Sequence, residues 1–299
     1  MGGQSKELGQ TITLPDGRQL GYLIVGEGKP VLWFHGAGSC RLEVLVPKGT
    51  AFFQALRLIA VDRPGCGLST HHPKATFRSF SADISFLADH LGLDRFQIVG
   101  ISQGGHYAIA CAAMLGTRLS RVVVLCGLSF PLDTSGMPAM NKMFWRLGAM
   151  PVLRTLYQRQ QRQAIFKMAQ DADSFMRSKT GEFFLGNLPD GDKRLLATPS
   201  EIREGLLRSF VSSYDQGLGS IKAGVEGVRL ARRGWDVDLS QIPSGLVHIW
   251  HGTADRAVPV SNAYRNAKAI PGANLKIFEN EGHYFVLNHL QELGELLGS

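Results

Sequence analysis

The sequence predicts an α/β fold: a mostly parallel, doubly wound sheet of eight strands, with a helical segment inserted late in the chain. Three observations carry this expectation. Short unbroken apolar runs of strand length alternate with segments whose apolar residues recur at helical spacing. The alternation stops at Leu128 and resumes only after about Arg232. The chain has 299 residues, of which 44% are hydrophobic and 19% charged, enough to bury one large domain carrying an inserted subdomain.

The elements follow in order. "TITLPDGRQLGYLIVG" alternates apolar and polar residues on both sides of Pro15-Asp16-Gly17, which reads as an opening β-hairpin. "PVLWF" (30–34), "LRLIAV" (56–61), "FQIVG" (96–100) and "RVVVLCG" (121–127) are continuous runs suited to strands buried on both faces. Between them, "FRSFSADISFLADHLG" (77–92) and "GGHYAIACAAMLG" (104–116) carry the helical period. The interrupted stretch contains Met137, Met140, Met143, Met150, Met168 and Met176 with Phe144, Trp145, Phe166, Phe183 and Phe184, and reads as a mainly helical subdomain. Strands return at "GLVHIWHG" (245–252) and "NLKIFEN" (274–280). An amphipathic "HLQELGELLG" closes the chain.

Composition narrows the function. The net charge is +7, yet the charge is spread, and only Tyr157 to Lys167 is locally basic without interleaved aromatics. A solvated face is expected there, and nucleic acid is not an expected partner. Cys40, Cys66, Cys111 and Cys126 form no CxxC pair and no Cys/His cluster of metal-ligand spacing, so reduced, mostly buried thiols and no metal are expected. "MGGQSKELGQ" lacks an apolar core for a secretory signal and misses the myristoylation pattern at Lys6. No apolar run has the length of a membrane span, and a cytoplasmic location is expected.

"VGISQGG" (99–105) sets one serine among glycines where a strand meets a helix. A chain that turns from strand to helix without a loop strains the residue at the apex and lifts its side chain clear of the sheet. Gly100 and Gly104 then supply room where a Cβ would collide. The turn leaves the Gln103 N–H at a helix N-terminus without an intrahelical partner, suited to hold an oxyanion. "WFHGAGS" (33–39) offers a second donor in the Ala37 N–H, with His35 and Gly36 supporting that loop. Asp255 in "HIWHGTADRAVP" and His283 in "ENEGHYFV" each lie just past a strand, where active groups of open α/β sheets gather. A serine hydroxyl needs such a histidine to take its proton, and the histidine needs an acid to fix its tautomer.

"HGAGS", "DRPGCGLS" (62–69), "GISQG", "HGTADRAVP" and "EGHYF", in this order, resemble the α/β-hydrolase fold family over nearly the whole chain. The resemblance implies Ser102 as nucleophile, His283 as base and Asp255 as acid, with the N–H groups of Ala37 and Gln103 as oxyanion hole. Asp133 in "LSFPLD" is the alternative acid. It further implies a core formed by residues 1–128 and 232–299 and a helical cap at 129–231.

Asp62 and Arg63 are expected to steady a loop at the site's rim, and Cys66 to be structural. His106, one turn past the serine, could face either pocket or core. His71, His72, His90, His248, His251 and His289 read as surface or packing residues.

The expected activity is that of a serine esterase. It would cleave a carboxylic ester or thioester of a small, apolar acyl substrate through an acyl-enzyme, without a cofactor. Serine at the elbow excludes the carboxylate-nucleophile route of related dehalogenases and epoxide hydrolases. A carbon–carbon bond hydrolase on the same residues, a lyase or cofactor-free oxidative enzyme, and a ligand receptor with a slow triad remain alternatives. The sequence assigns no oligomeric state.

Overall fold

The hairpin opens the chain as β1 (Gln10–Thr13) and β2 (Gln19–Val25), paired antiparallel from Gln10 opposite Tyr22 to Thr13 opposite Gln19. Its turn places Gly17 at φ +84, a conformation that a Cβ disfavours. This is a computed structural model, and it describes residues 8–46, 55–147, 150–179, 181–182 and 188–299. The expectations placed on residues 1–7, on Phe183 and Phe184, and on the side chains of Met140 and Phe144 lie outside the described residues.

The remaining strands are β3 (Lys29–Phe34), β4 (Leu56–Val61), β5 (Phe96–Ile101), β6 (Leu119–Leu125), β7 (Val247–Gly252) and β8 (Asn274–Phe278). They assemble in the order β1-β2-β4-β3-β5-β6-β7-β8. β2 runs antiparallel to β1 and β4, and all other pairs are parallel. The family expected from the motifs predicts this mostly parallel sheet, and the structure has it.

Both faces are buried, which explains the unbroken apolar runs. On one face Leu32, Phe34, Ile98, Val122, Val124 and Ile249 pack with α1 (Phe77–His90) and α2 (Gln103–Leu115). On the other, Val31, Trp33, Val99, Val123 and Trp250 pack with the C-terminal segment through Phe285, Leu293 and Leu297. A capping box between Thr76 and Ser79 starts α1. Its buried Phe77, Phe80, Ile84 and Leu87 follow the helical period, and Gly92 at φ +66 follows its end. α2 is buried nearly all round and is rich in small residues, Ala108, Ala110, Cys111 and Ala112, which let it lie close to the sheet.

Between β6 and β7 the described α-helices are α3 (Ala139–Leu147), α4 (Pro151–Gln170), α5 (Ala172–Arg177), α6 (Asp190–Ala197), α7 (Glu201–Ser212) and α8 (Leu218–Arg233). They bury a core of their own, in which Met168, Met176, Leu196, Leu206 and Leu207 close over Val46. Met137 is also buried, whereas Met143 and Met150 are exposed. The chain ends with α9 (Ser261–Ala269) and α10 (Leu290–Gly298). Among the described residues no helix is long and apolar enough to cross a membrane.

β3 lies between β4 and β5, so the chain leaves it toward one edge of the sheet and later returns along the other. The loops after β3 and β5 therefore meet at a topological switch point. Phe34 is in register with Gly100, and Ile101 with Leu125. That register puts the His35-Gly36-Ala37 loop, Ser102 and Cys126 at one end of three adjacent strands.

Candidate active site

Ser102 sits between the end of β5 and the start of α2 at φ +52, ψ −117, a strained conformation for a residue with a Cβ. The strain is held by its surroundings: Ser102 N donates to Leu125 O at 2.8 Å. The glycines act as expected. A Cβ on Gly100 would stand 2.5 Å from Gly104 O, and one on Gly104 would run into the carbonyls of Phe34 and His35. The third glycine, Gly105, faces Val124 Cγ1 in the same crowded way. Ser102 keeps 8% of its surface exposed.

Asp255 and His283 come from the loops after β7 and β8. Asp255 is 4% exposed. Its Oδ1 accepts the N–H groups of Ala257 (2.8 Å) and Val258 (2.9 Å), and its Oδ2 accepts His283 Nδ1–H at 2.7 Å. His251 adds a cradle that the sequence left as a packing residue. Its Nε2 must carry the proton, because it meets the Val258 carbonyl at 2.7 Å, and the same nitrogen lies 3.4 Å from Asp255 Oδ2. Burial alone would raise the Asp255 carboxyl, but the His283 charge and the hydrogen bonds from both histidines hold it below the ordinary range. Burial likewise opposes charge on His283, and the Asp255 carboxylate outweighs it, holding the imidazole well above its ordinary value.

With Nδ1–H given to the carboxylate, the neutral ring presents a lone pair at Nε2. That nitrogen meets Cys126 Sγ at 3.9 Å. Among the described contacts no hydrogen bond joins it to Ser102 Oγ. Asp133 faces elsewhere: it accepts the Ser135 N–H at 2.8 Å and pairs with Arg265 at 3.3 Å.

The loop after β3 is fixed by a side chain the sequence placed only at the rim. Arg63 Nη2 donates to Gly36 O at 2.7 Å, Nη1 donates to Gln103 Oε1 at 2.8 Å, and the guanidinium lies over the Tyr107 ring. The Arg63 backbone N–H donates to His35 Nε2 at 3.1 Å, so the His35 proton sits on Nδ1 and goes to Gly36 O at 2.9 Å. Burial and the neighbouring Arg63 charge keep His35 neutral. In a planar trans peptide the N–H points opposite to the C=O. Two donors on the Gly36 carbonyl therefore turn the Ala37 N–H away from Arg63, and Ala37 itself is exposed. Gln103 is buried, with its side chain held by Arg63 and packed against Gly227 of α8.

Asp192, from α6 of the inserted segment, had no signal in the sequence beyond its place in a helix. Its carboxylate accepts the N–H groups of His283 (2.8 Å) and Tyr284 (3.1 Å), it is 3% exposed, and Gly282 packs directly on it. His106 turns to the core: it is buried, stacked on Phe130 at 4.1 Å, and pushed down to about 3 by burial. Cys66 is partly buried with its thiol pushed up to about 11 by burial, which leaves it no nucleophile. Asp62, fully buried, accepts the Arg41 backbone N–H at 2.6 Å and Arg41 Nη1 at 3.0 Å, bracing the "DRPGCGLS" turn.

A sequence profile described as alpha/beta hydrolase fold matches residues 29–290. The chain is 29% identical over 302 aligned positions to a protein of Pseudomonas putida named 2-hydroxymuconate semialdehyde hydrolase, covering 98% of this chain and 94% of the relative. It is 26% identical to a non-heme haloperoxidase of Rhodococcus erythropolis, covering 91% and 92%. Its structure superposes with a TM-score of 0.69 on an alpha/beta hydrolase fold protein of Nakamurella multipartita, at 22% identity, covering 97% and 99% of the two chains.

Proposed function

The chain belongs to the alpha/beta hydrolase fold family, and from that premise we propose that it is a serine hydrolase cleaving a carboxylic ester or thioester of a small apolar acyl group. The observation that carries the reading is the 2.7 Å bond from His283 Nδ1 to Asp255 beside a strained, glycine-flanked Ser102. Residues 129–231 would form the cap over the site, and the apolar side chains of that segment favour a lipophilic acyl group.

In this reading Ser102 Oγ attacks the carbonyl carbon while its proton passes to His283 Nε2. The negative oxygen is held by the N–H groups of Ala37 and Gln103. Collapse of the tetrahedral adduct breaks the ester bond, and the leaving alcohol or thiol takes the proton from Nε2. Water then attacks the acyl-enzyme, giving its proton to Nε2, and the second collapse frees the carboxylic acid and returns the proton to Ser102. Asp255 keeps the imidazole in the tautomer that both steps need.

A second reading is favoured by one observation, the full-length similarity to a relative named for 2-hydroxymuconate semialdehyde. There the same residues would cleave a carbon–carbon bond next to a ketone, the carbon leaving group taking the proton. Steady-state turnover of nitrophenyl esters of graded chain length, set beside turnover of a dienoic acid bearing a vinylogous ketone, separates the two. A fluorophosphonate label is expected on Ser102, and both activities are expected to vanish in Ser102→Ala. A label on any other residue rejects both readings.

A further inference from the structure

Cys126 and His283 stand 157 positions apart in the chain, and the fold brings Sγ to 3.9 Å from Nε2. The proposed reaction gives that sulfur no role. We propose that Cys126 Sγ and His283 Nε2 form a two-ligand site for a borderline or soft divalent cation, Zn²⁺ or Cd²⁺, whose occupation withdraws the imidazole from proton transfer. The loss of activity rests on the reading of His283 as the base; the binding of the metal does not.

The donor set fits such ions. Thiolate and imidazole are the ligands that zinc and cadmium favour, whereas magnesium and calcium require shells of oxygen. Metal–sulfur and metal–nitrogen bonds of about 2.3 and 2.0 Å give a tetrahedral S···N edge of roughly 3.5 Å. The observed gap exceeds that edge by only a few tenths of an ångström. Ligand atoms of Cys126, His283 and Asp255 all lie within 4.8 Å of one another. Asp255 is occupied by His283 Nδ1–H and two amides, so it serves as the carboxylate behind the imidazole that orients metal-binding histidines.

Both ligands are held before any ion arrives. Cys126 is one of three non-glycine residues at positive φ among those described, at +43, and its N–H is pinned to Trp250 O at 2.9 Å. Asp192 fixes the His283 backbone through its N–H. On binding, the thiol releases its proton to water, sulfur and nitrogen each donate a lone pair to the cation, and water fills the remaining positions. No electron is transferred.

The test titrates the full chain with Cd²⁺ while following the thiolate-to-cadmium charge-transfer absorption in the ultraviolet and turnover of a soluble nitrophenyl ester. Expected are a band saturating at one ion per chain, loss of turnover in parallel with it, and recovery of both with a chelator. Cys126→Ala should abolish the band and raise the inhibiting concentration by about tenfold or more, with metal-free turnover retained. His283→Asn, which has no imidazole, should weaken the band, so the site remains testable if the cysteine variant fails to fold. No band in the parent chain, or a band and inhibition unchanged in Cys126→Ala, overturns the proposal. A band in a chain that turns over no ester supports the metal site and counts against the esterase reading.

Discussion

The Asp192 carboxylate accepts the backbone N–H groups of His283 and Tyr284, at 2.8 and 3.1 Å. The proposed base is thus held from two directions by carboxylates of separate elements: Asp255 at its ring, and Asp192 of the inserted segment at its main chain. The Asp192 charge also interacts with the imidazole. The inserted helices therefore reach the loop that carries His283.

Asp192→Ala orphans two backbone donors in a buried place, at a cost of about 1–3 kcal/mol for each donor left without water. A lowered unfolding midpoint and a reduced kcat are expected, with faster hydrogen exchange in the 281–288 loop. Asp192→Asn keeps one acceptor for the two N–H groups, turns its NH2 on the other and removes the charge. In that variant stability should return only in part, while the acid limb of kcat/KM moves to lower pH because the imidazolium loses a stabilising neighbour. An acid limb unmoved in Asp192→Asn would reduce Asp192 to a purely structural brace.

Arg63 ties the two sides of the proposed oxyanion hole together, through Gly36 O at 2.7 Å and Gln103 Oε1 at 2.8 Å. Arg63→Met keeps apolar bulk and leaves the Gly36–Ala37 peptide held by the His35 donor alone. Losing one oxyanion donor lowers kcat by roughly 100- to 1,000-fold. Arg63→Met is expected to fall toward that range with KM nearly unchanged. Affinity for a boronate that mimics the tetrahedral adduct should fall in parallel, and affinity for a ground-state ketone should not. Equal losses for both ligands would show a general disturbance of the pocket.

The pH dependence follows from the direction of the His283 shift. The proposed base would work only when neutral, and Asp255 holds its imidazole above the ordinary value. Turnover should therefore rise with pH through a value above 6.5, the ordinary imidazole value. Asp255→Asn removes the charge that stabilises the imidazolium, so the acid limb should move to lower pH. At the same time the maximum should collapse by roughly 10,000-fold, the loss seen when a triad acid becomes an amide. An acid limb that stays in place would show that another group sets it.

Arg41 and Asp62 form an ion pair with both side chains fully buried, 3.0 Å apart. Such a pair adds little over an apolar substitute, yet breaking it strands a charge in the interior, at a cost of about 3–5 kcal/mol. Asp62→Ala should lower stability by that amount in chemical denaturation, with Arg41→Ala similar and the double variant less than additive. Strict additivity would mean that the two groups are not coupled.

The sequence by itself determined the sheet, because strands buried on both faces must be apolar at every position and helices must show their period. It also determined the elbow at Ser102, since glycine is the residue type such a turn demands, and the positions of Asp255 and His283 just beyond strand ends. Tertiary structure alone decided which partners those groups meet. Asp192 bonds only main-chain N–H groups there, and Arg63 bonds the Gly36 carbonyl as well as Gln103, all far away in sequence; hydrogen bonds to main chain leave no pattern of residue types to read. His106 faced the core because of rings on other elements, Phe130 among them. Cys126 came beside His283 because neighbouring parallel strands end at the same edge of the sheet, and strand register exists only once the chain has folded.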